Sequence, residues 1–189
     1  MKACVLLILL LGITCAMGCS DDDYARFQAT DGDALPSCMA DQFPLELTFL
    51  AAKSRNGRLG LYLQSPSDAR GFHDGLIFRL YDPDSLGSGD AVEIEDTATS
   101  PPSARGALFF FSSCAHGQET LKVQGSLQFD EFEPEAGGII AGQLIDGRAV
   151  NARTGEPVIG ELTGEFSFTV RRAPPYEDFY IVPEWPESP

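Results

Sequence analysis

The amino-acid sequence predicts an all-β fold, a single antiparallel β-sandwich or β-barrel of about eight strands. Apolar and polar residues alternate with a period of two, most plainly over residues 45–49 and 166–170, as expected for strands with one buried face. Turn signals separate these runs, and no window of helix length shows a convincing 3.6-residue period. Short strands joined by regularly spaced turns are typical of sandwiches and barrels alike, so both remain open.

Eight runs of alternating residues are predicted to be strands. They are residues 45–49, 58–64, 75–81, 91–95, 106–112, 121–130, 139–145 and 158–170. The pair Asn56-Gly57 is a hairpin signal between the first two runs, and residues 153–157 supply a turn between the last two. Phe109, Phe110 and Phe111 place aromatic rings on both faces of one strand. They predict a strand buried on both sides, with an aromatic binding patch as the alternative.

Residues 1–18 have the layout of a secretory signal peptide. Lys2 supplies a positive charge, and residues 5–13 form an apolar run that is too short to cross a bilayer as a helix. The small residues Ala16 and Gly18 precede Cys19, as a cleavage site requires. The sequence therefore predicts an exported protein whose mature chain begins at Cys19.

The motif Ala16-Met17-Gly18-Cys19 resembles the lipobox of bacterial lipoproteins. This resemblance implies that Cys19 carries lipid and that the lipid attaches the protein to a membrane. The implied location is the outer membrane or cell surface, with the periplasmic face as the alternative. Cleavage by the ordinary signal peptidase stays open, because Ala16 and Gly18 also satisfy its preference for small residues. The glycine-containing strands further along resemble those of uncharacterised β-rich bacterial lipoproteins.

The mature chain divides into three parts. Residues 19–36 contain five aspartates and are predicted to be a solvated acidic tether. Residues 37–172 form the β domain. Residues 173–189 contain five prolines, which exclude a helix or a central strand. Because this tail is also rich in aromatic residues, we expect it to pack on the domain or on a partner.

Cysteine counting predicts one disulfide. Cys4 and Cys15 leave with the signal peptide, and if Cys19 carries lipid then only Cys38 and Cys114 remain. Two thiols in an oxidising compartment are expected to form one bridge.

The charge of the chain limits its partners. The net charge of −15 becomes −16 once Lys2 is removed with the signal. Such an excess of acid argues against a nucleic-acid partner and against electrostatic attachment to anionic lipid.

No catalytic motif is present, so we expect no enzyme activity. His73 and His116 are the only histidines, and both lie in loop-like segments. One acidic stretch offers a calcium candidate with EF-hand spacing, although an apolar residue interrupts the ligand pattern and the flanks alternate like strands. The candidate ligands are Asp82, Asp84, Asp90 and Glu93. An acidic hairpin loop is the favoured interpretation, and no metal or cofactor is assigned.

These observations predict a lipid-anchored cell-envelope protein of structural or interaction type, with an envelope protein as its partner. The alternative is a ligand-binding β domain for a small apolar molecule, a glycan or calcium.

Overall fold

A computed structural model describes residues 23–30, 37–65, 74–95, 102–114 and 120–176, and its fold is all-β. Ten strands form one sheet, with a four-residue helix α1 at Ser37–Ala40 and a 3₁₀ turn at Pro83–Ser85. The strands are β1 Tyr24–Ala29, β2 Leu45–Leu47, β3 Phe49–Arg55, β4 Arg58–Ser65, β5 Asp74–Tyr81, β6 Ala91–Ile94, β7 Ser103–Phe109, β8 Thr120–Phe132, β9 Ile139–Asn151 and β10 Pro157–Thr169.

The sheet curls until its two edges meet, so it is nearly closed into a barrel. The strand order is β2-β1-β10-β9-β8-β6-β7-β5-β4-β3. Its two edge strands, β2 and β3, follow each other in the chain and are separated only by Thr48, whose amide donates to the Gln64 carbonyl at 3.1 Å. Pairing is antiparallel throughout, except for one parallel bridge between Ile94 and Ala104. Of the two predicted architectures, the barrel is the one observed.

Local turn chemistry explains the tightest connection. Asn56 and Gly57 join β3 to β4 with φ angles of 53° and 71°, the left-handed conformation that a two-residue hairpin turn requires. Both predicted turns are present, and the second joins β9 to β10 through residues 152–156.

The interior of the barrel is filled by large apolar side chains. Phe27, Phe78 and Phe129 are fully buried there with Phe110 and Phe166. Burying a side chain of this size contributes about 1.5 to 3 kcal/mol. The inward positions of the alternating runs therefore supply the main core.

A second apolar cluster lies on the outer face of β3, β4, β5 and β7. Its members are Phe49, Ala51, Tyr62, Ile77 and Phe109, and we call it the outer aromatic cluster. Phe110 points into the barrel while Phe109 points outward, and both are buried. The predicted burial on both sides is confirmed for Phe109 and Phe110, whereas Phe111 is only partly buried and the strand itself ends at Phe109.

The predicted tether over residues 19–36 is wrong in its middle, because β1 lies within it. Ala25 and Phe27 point into the barrel, and Phe27 is fully buried. β1 pairs with β10 along its whole length and with β2 over three residues. Only Ala25 and Phe27 are inward-facing positions of this strand, and aspartates flank it on both sides. The short alternation was therefore not recognised in a segment of polar composition. The described part of the barrel therefore begins at Asp23, four residues after Cys19 in the sequence.

The predicted disulfide joins Cys38 to Cys114 at one end of the barrel. Their Cα atoms are 5.5 Å apart and 76 residues apart in the chain. Asp74 lies nearby, and its buried carboxylate accepts hydrogen bonds from the Ser112 amide at 2.8 Å, the Ser113 amide at 3.3 Å and the Ser113 hydroxyl. We call this end the disulfide end.

The opposite end holds the first and last described segments. Asp23 accepts a hydrogen bond from the Thr169 amide at 2.9 Å and pairs with Arg171 at 2.7 Å. Arg172 donates to the carbonyl of Ala52 at 2.8 Å and to that of Pro134 at 2.9 Å. We call this end the Asp23 end, and these contacts fix the start of β1 against the chain that follows β10.

Candidate functional site

The outer face of β1, β10 and β9 is polar and exposed, in contrast to the outer aromatic cluster. Arg26 lies opposite Glu165, and Glu165 lies opposite Gln143 on the next strand. Gln28 lies opposite Thr163 in a second row. These residues are the outward positions of strands whose alternate residues fill the core, so neighbouring side chains on one face come within interaction distance.

A depression of about 440 Å³ opens within this face. The register between β10 and β9 shifts between Leu162 and Gly164, where Ile145 and Asp146 of β9 lie opposite Thr163 alone. Asp146 adopts a left-handed φ of 49° in this bulge of β9. Bulges of this kind bend a strand and re-aim its side chains, which opens space between the rows. The lining is formed by Arg26, Gln28, Gln143, Leu144, Ile145, Asp146, Thr163, Gly164 and Glu165.

A larger depression of about 750 Å³ adjoins the first and shares Asp146 and Thr163 with it. We call the two together the polar groove. The same segment of β9 is bulged against β8, where Asp146 and Gly147 lie opposite Gly125 alone. Gly125 has a φ of 129°. The lining is formed by Glu93, Ile94, Glu95, Gln124, Gly125, Asp146, Gly147, Arg148, Gly160, Glu161 and Thr163.

Carboxylates dominate the larger depression. It contains Glu93, Glu95, Asp146 and Glu161 against a single guanidinium, that of Arg148. The Arg148 Nε donates to Gln124 Oε1 at 2.7 Å. The field in this part of the groove is therefore negative and favours ligands that carry positive charge or many hydroxyl donors.

Tyr24 lies on the same face of β1, and its environment is consistent with that field. Partial burial raises the pKa of its phenol, and the negative charges of Glu165 and Asp130 raise it further. Among the described residues, Tyr24 is the exposed large hydrophobic side chain, with 45% of its surface accessible. An aromatic ring beside hydrogen-bonding side chains suits a polar ligand with an apolar face.

Among the described residues, the four calcium candidates do not form a metal-binding cluster. Asp82 has a left-handed φ of 57° before the 3₁₀ turn, and the Asp90 carboxylate accepts the Gly87 amide at 2.8 Å within the loop. Glu93 is exposed on β6 and lines the polar groove. Within the described ranges, no group of three or more His, Cys, Asp or Glu side chains is placed to hold a metal ion. The calcium site stays a prediction without a cluster to support it.

Other predicted residues lie outside the described part of the chain. They are Cys19, His73 and His116, together with residues 1–18 and the tail after Tyr176. Among the described residues, no helix has the length and apolar character needed to cross a membrane.

The polar groove was not predicted from the sequence. Its lining residues are ordinary outward positions of strands, which carry no motif. The available signal was the spacing of Gly125, Gly147 and Gly164 in successive strands, since glycine within a strand often marks a bulge or a close approach of backbones.

The fold and the groove together define a nearly closed barrel with a filled interior and a polar outer site. A search against protein-family models, curated proteins and solved structures found no match to this chain.

Proposed function

We propose that this protein is a lipid-anchored component of the cell envelope that acts through contacts made by the outer surface of its barrel. The observation that carries this proposal is the filled interior. Phenylalanine and leucine side chains occupy the space in which a carrier barrel would hold its ligand. The outer surface is therefore the part available for recognition, and its two halves differ sharply in chemistry.

The position of Asp23 adds a geometric consequence to the anchor. Asp23 is fixed by Thr169 and Arg171, and it lies four residues after Cys19. Four extended residues span at most about 14 Å. A lipid on Cys19 would therefore hold the Asp23 end close to the membrane and turn the disulfide end away from it. An envelope protein partner would meet the barrel near the bilayer.

Fractionation of cells from a lipoprotein-processing host tests the anchor. We expect the wild-type protein in the membrane fraction, from which detergent but not high salt releases it. High salt should have no effect because a protein with this net negative charge is not attracted electrostatically to anionic lipid. Cys19→Ser should move the mature protein to the soluble fraction. Cys4→Ser, which changes a cysteine within the signal, is the matched control and should stay with the membrane.

A wild-type protein that is released by salt alone, or a Cys19→Ser protein that remains in the membrane fraction, would contradict the anchor. In that case the polar groove becomes the leading functional feature.

The polar groove supports a second candidate, a glycan-binding function. Its lining offers amides, carboxylates, guanidinium groups and a threonine hydroxyl, which suit a ligand rich in hydroxyl groups. We expect soluble envelope glycan fragments to shift the amide resonances of β9 and β10. Gln143→Ala should weaken that binding, whereas Glu135→Ala, in the β8–β9 loop, should not. Equal binding by both variants would remove the groove from consideration.

A further inference from the structure

One wall of the barrel is buried on its outer face as well as on its inner face. Two rows of directly opposed residues cross β3, β4, β5 and β7 there. The rows are Phe49, Gln64, Gly75 and Phe109, and Ala51, Tyr62, Ile77 and Ala107. All eight are buried, whereas the outward residues of β1 and β10 are largely exposed. Because these outward residues are buried, the face is covered in the folded protein, and Phe111 and Tyr176 are the described side chains that pack against its cluster.

Basic residues border this wall on the side of the Asp23 end. The next row contains Lys53, Arg79 and Arg105, and the row beyond it contains Arg55 and Arg58. Five of the thirteen Lys and Arg residues therefore gather on one wall of a strongly acidic chain.

The charges of these rows act on the cluster. Burial raises the pKa of Tyr62, while Arg79 and Arg55 lower it. The guanidinium groups of Arg58 and Arg105 lie 4.8 and 5.8 Å from the ring centre of Tyr81. The wall thus presents an apolar surface beside a positive one.

The chain after β10 leads directly onto this wall. Arg171 donates to the Tyr176 hydroxyl at 2.7 Å and lies 5.2 Å from its ring centre. The Tyr176 ring stacks on Phe49, with a centroid distance of 5.3 Å and an interplanar angle of 6°. The last described residue is therefore seated on the edge of the outer aromatic cluster.

The thirteen residues that follow Tyr176 match the wall in chemistry. They contain the apolar side chains of Phe179, Tyr180, Ile181, Val182 and Trp185. They also contain four acids and three prolines but no lysine or arginine. Apolar side chains complement the cluster, and the acids complement the basic rows.

We propose that residues 177–189 dock across the outer aromatic cluster, with their acidic side chains toward the basic rows. The face is three interstrand spacings wide, about 14 Å, whereas thirteen extended residues reach up to about 45 Å. Prolines cannot donate to a strand ladder, so the segment lies over the face rather than adding a strand. The proposal is independent of the lipid anchor.

Trp185 reports on this docking because it is the only tryptophan in the chain. In the purified full-length mature protein, we expect its emission maximum at shorter wavelength than that of N-acetyltryptophanamide. We also expect its quenching by acrylamide to increase several-fold when urea unfolds the protein. Emission and quenching that already equal those of the free compound in the native protein would overturn the proposal.

The fluorescence of Trp185 also shows which molecule residues 177–189 dock on. Protection of Trp185 that is unchanged on dilution of a monomer, measured beside light scattering, supports docking within one chain. Protection that appears only where dimers form assigns the wall to a second copy and overturns the proposal. Protection that appears only with phosphatidylglycerol vesicles assigns the segment to a lipid surface and also overturns it.

A matched pair of substitutions locates the docking surface. Ile77 and Ile145 both lie on the outer face, one in the cluster and one in the polar groove. Ile77→Glu should raise acrylamide quenching of Trp185, and Ile145→Glu should leave it unchanged. If Ile77→Glu does not fold, Arg79→Glu against Arg26→Glu tests the basic row in the same way. Equal quenching in both members of the folded pair would overturn the proposed location.

Discussion

The pKa of Tyr62 reflects the burial of the outer aromatic cluster. It lies in the middle of the outer aromatic cluster with 8% of its surface exposed. Burial disfavours the phenolate and raises the pKa of Tyr62, while Arg79 and Arg55 partly oppose this shift. The raised pKa means that the folded protein holds this proton at a pH where the unfolded chain releases it.

The sign of the resulting pH dependence follows from linkage. Tyr62 favours the folded state equally at every pH below its ordinary value of 10.0. As pH rises above that value, the unfolded chain ionises first and this stability is lost, at up to about 1.4 kcal/mol per pH unit. We therefore expect Tyr62→Phe to flatten the decline in unfolding free energy above pH 10. Urea titrations at several pH values measure the unfolding free energy of both proteins. If it declines equally steeply above pH 10 in the wild type and in Tyr62→Phe, the phenol is not buried as the structure shows.

The position in β8 that lies opposite the bulge of β9 requires glycine. Gly125 has a φ of 129°, and an added Cβ would lie 2.8 Å from the Ile145 carbonyl oxygen and 2.9 Å from Gly147 Cα. Gly137 has a φ of 87° but has open space around the same position. Alanine at Gly137 therefore tests the cost of the positive φ alone, whereas alanine at Gly125 adds the cost of a steric clash with the β9 backbone.

We expect Gly137→Ala to lower the free energy of unfolding by about 1 kcal/mol and Gly125→Ala by about 3 kcal/mol or more. The larger loss arises because the bulge must open before the methyl group fits. Chemical denaturation with an unchanged m-value measures both. Equal losses would show that the β8 and β9 backbones do not approach each other as closely as described.

The same elements show what local sequence patterns can predict. The observed bounds of β4, β5 and β10 differ from the predicted ones by at most one residue at each end. These strands could be predicted because a period of two is a local property of the chain. The hairpin at Asn56-Gly57 was predicted for the same reason. β1 was missed because Ala25 and Phe27 are too few apolar positions to stand out among acids.

Features that depend on distant pairings could not be predicted. Closure of the sheet rests on β2 and β3 joining its two edges, and nothing in residues 45–55 alone indicates that Thr48 divides them. β6 likewise pairs with β8 through residues more than 30 apart in the chain, such as Ile94 and Gly125. The polar groove follows from register shifts where β9 pairs with β8 and with β10, so its residues look like any other solvent-facing positions.

At the scale of the whole molecule, the disulfide between Cys38 and Cys114 closes a long covalent loop of the chain. A bridge between residues 76 apart stabilises the fold by about 4 to 5 kcal/mol in the chain-entropy model. For a domain of this size, that corresponds to a melting temperature lower by roughly 10 °C or more after reduction. Differential scanning calorimetry with and without dithiothreitol measures it.

The double variant Cys38→Ser, Cys114→Ser is the control for that experiment. It should melt near the temperature of the reduced wild-type protein and should not respond to dithiothreitol. A wild-type melting temperature that is the same in both conditions would contradict a stabilising bridge.

The whole molecule also divides into surfaces of different chemistry. One wall of the barrel is apolar, covered and bordered by arginine and lysine, and the opposite wall carries the polar groove. The Asp23 end lies next to Cys19 in sequence, so an anchor there orients both walls relative to the membrane. The proposed anchor at Cys19 would therefore place the contacts of both walls beside the bilayer.

Intact mass of the membrane-extracted protein, with free thiols counted, tests the central claim most directly. If Cys19 is lipidated as proposed and Cys38 is bonded to Cys114, we expect a species that begins at Cys19, carries added acyl mass and has no free thiol. An unacylated species that begins at Cys19 and has one free thiol would contradict the anchor. It would leave a secreted barrel whose polar groove is the feature to pursue.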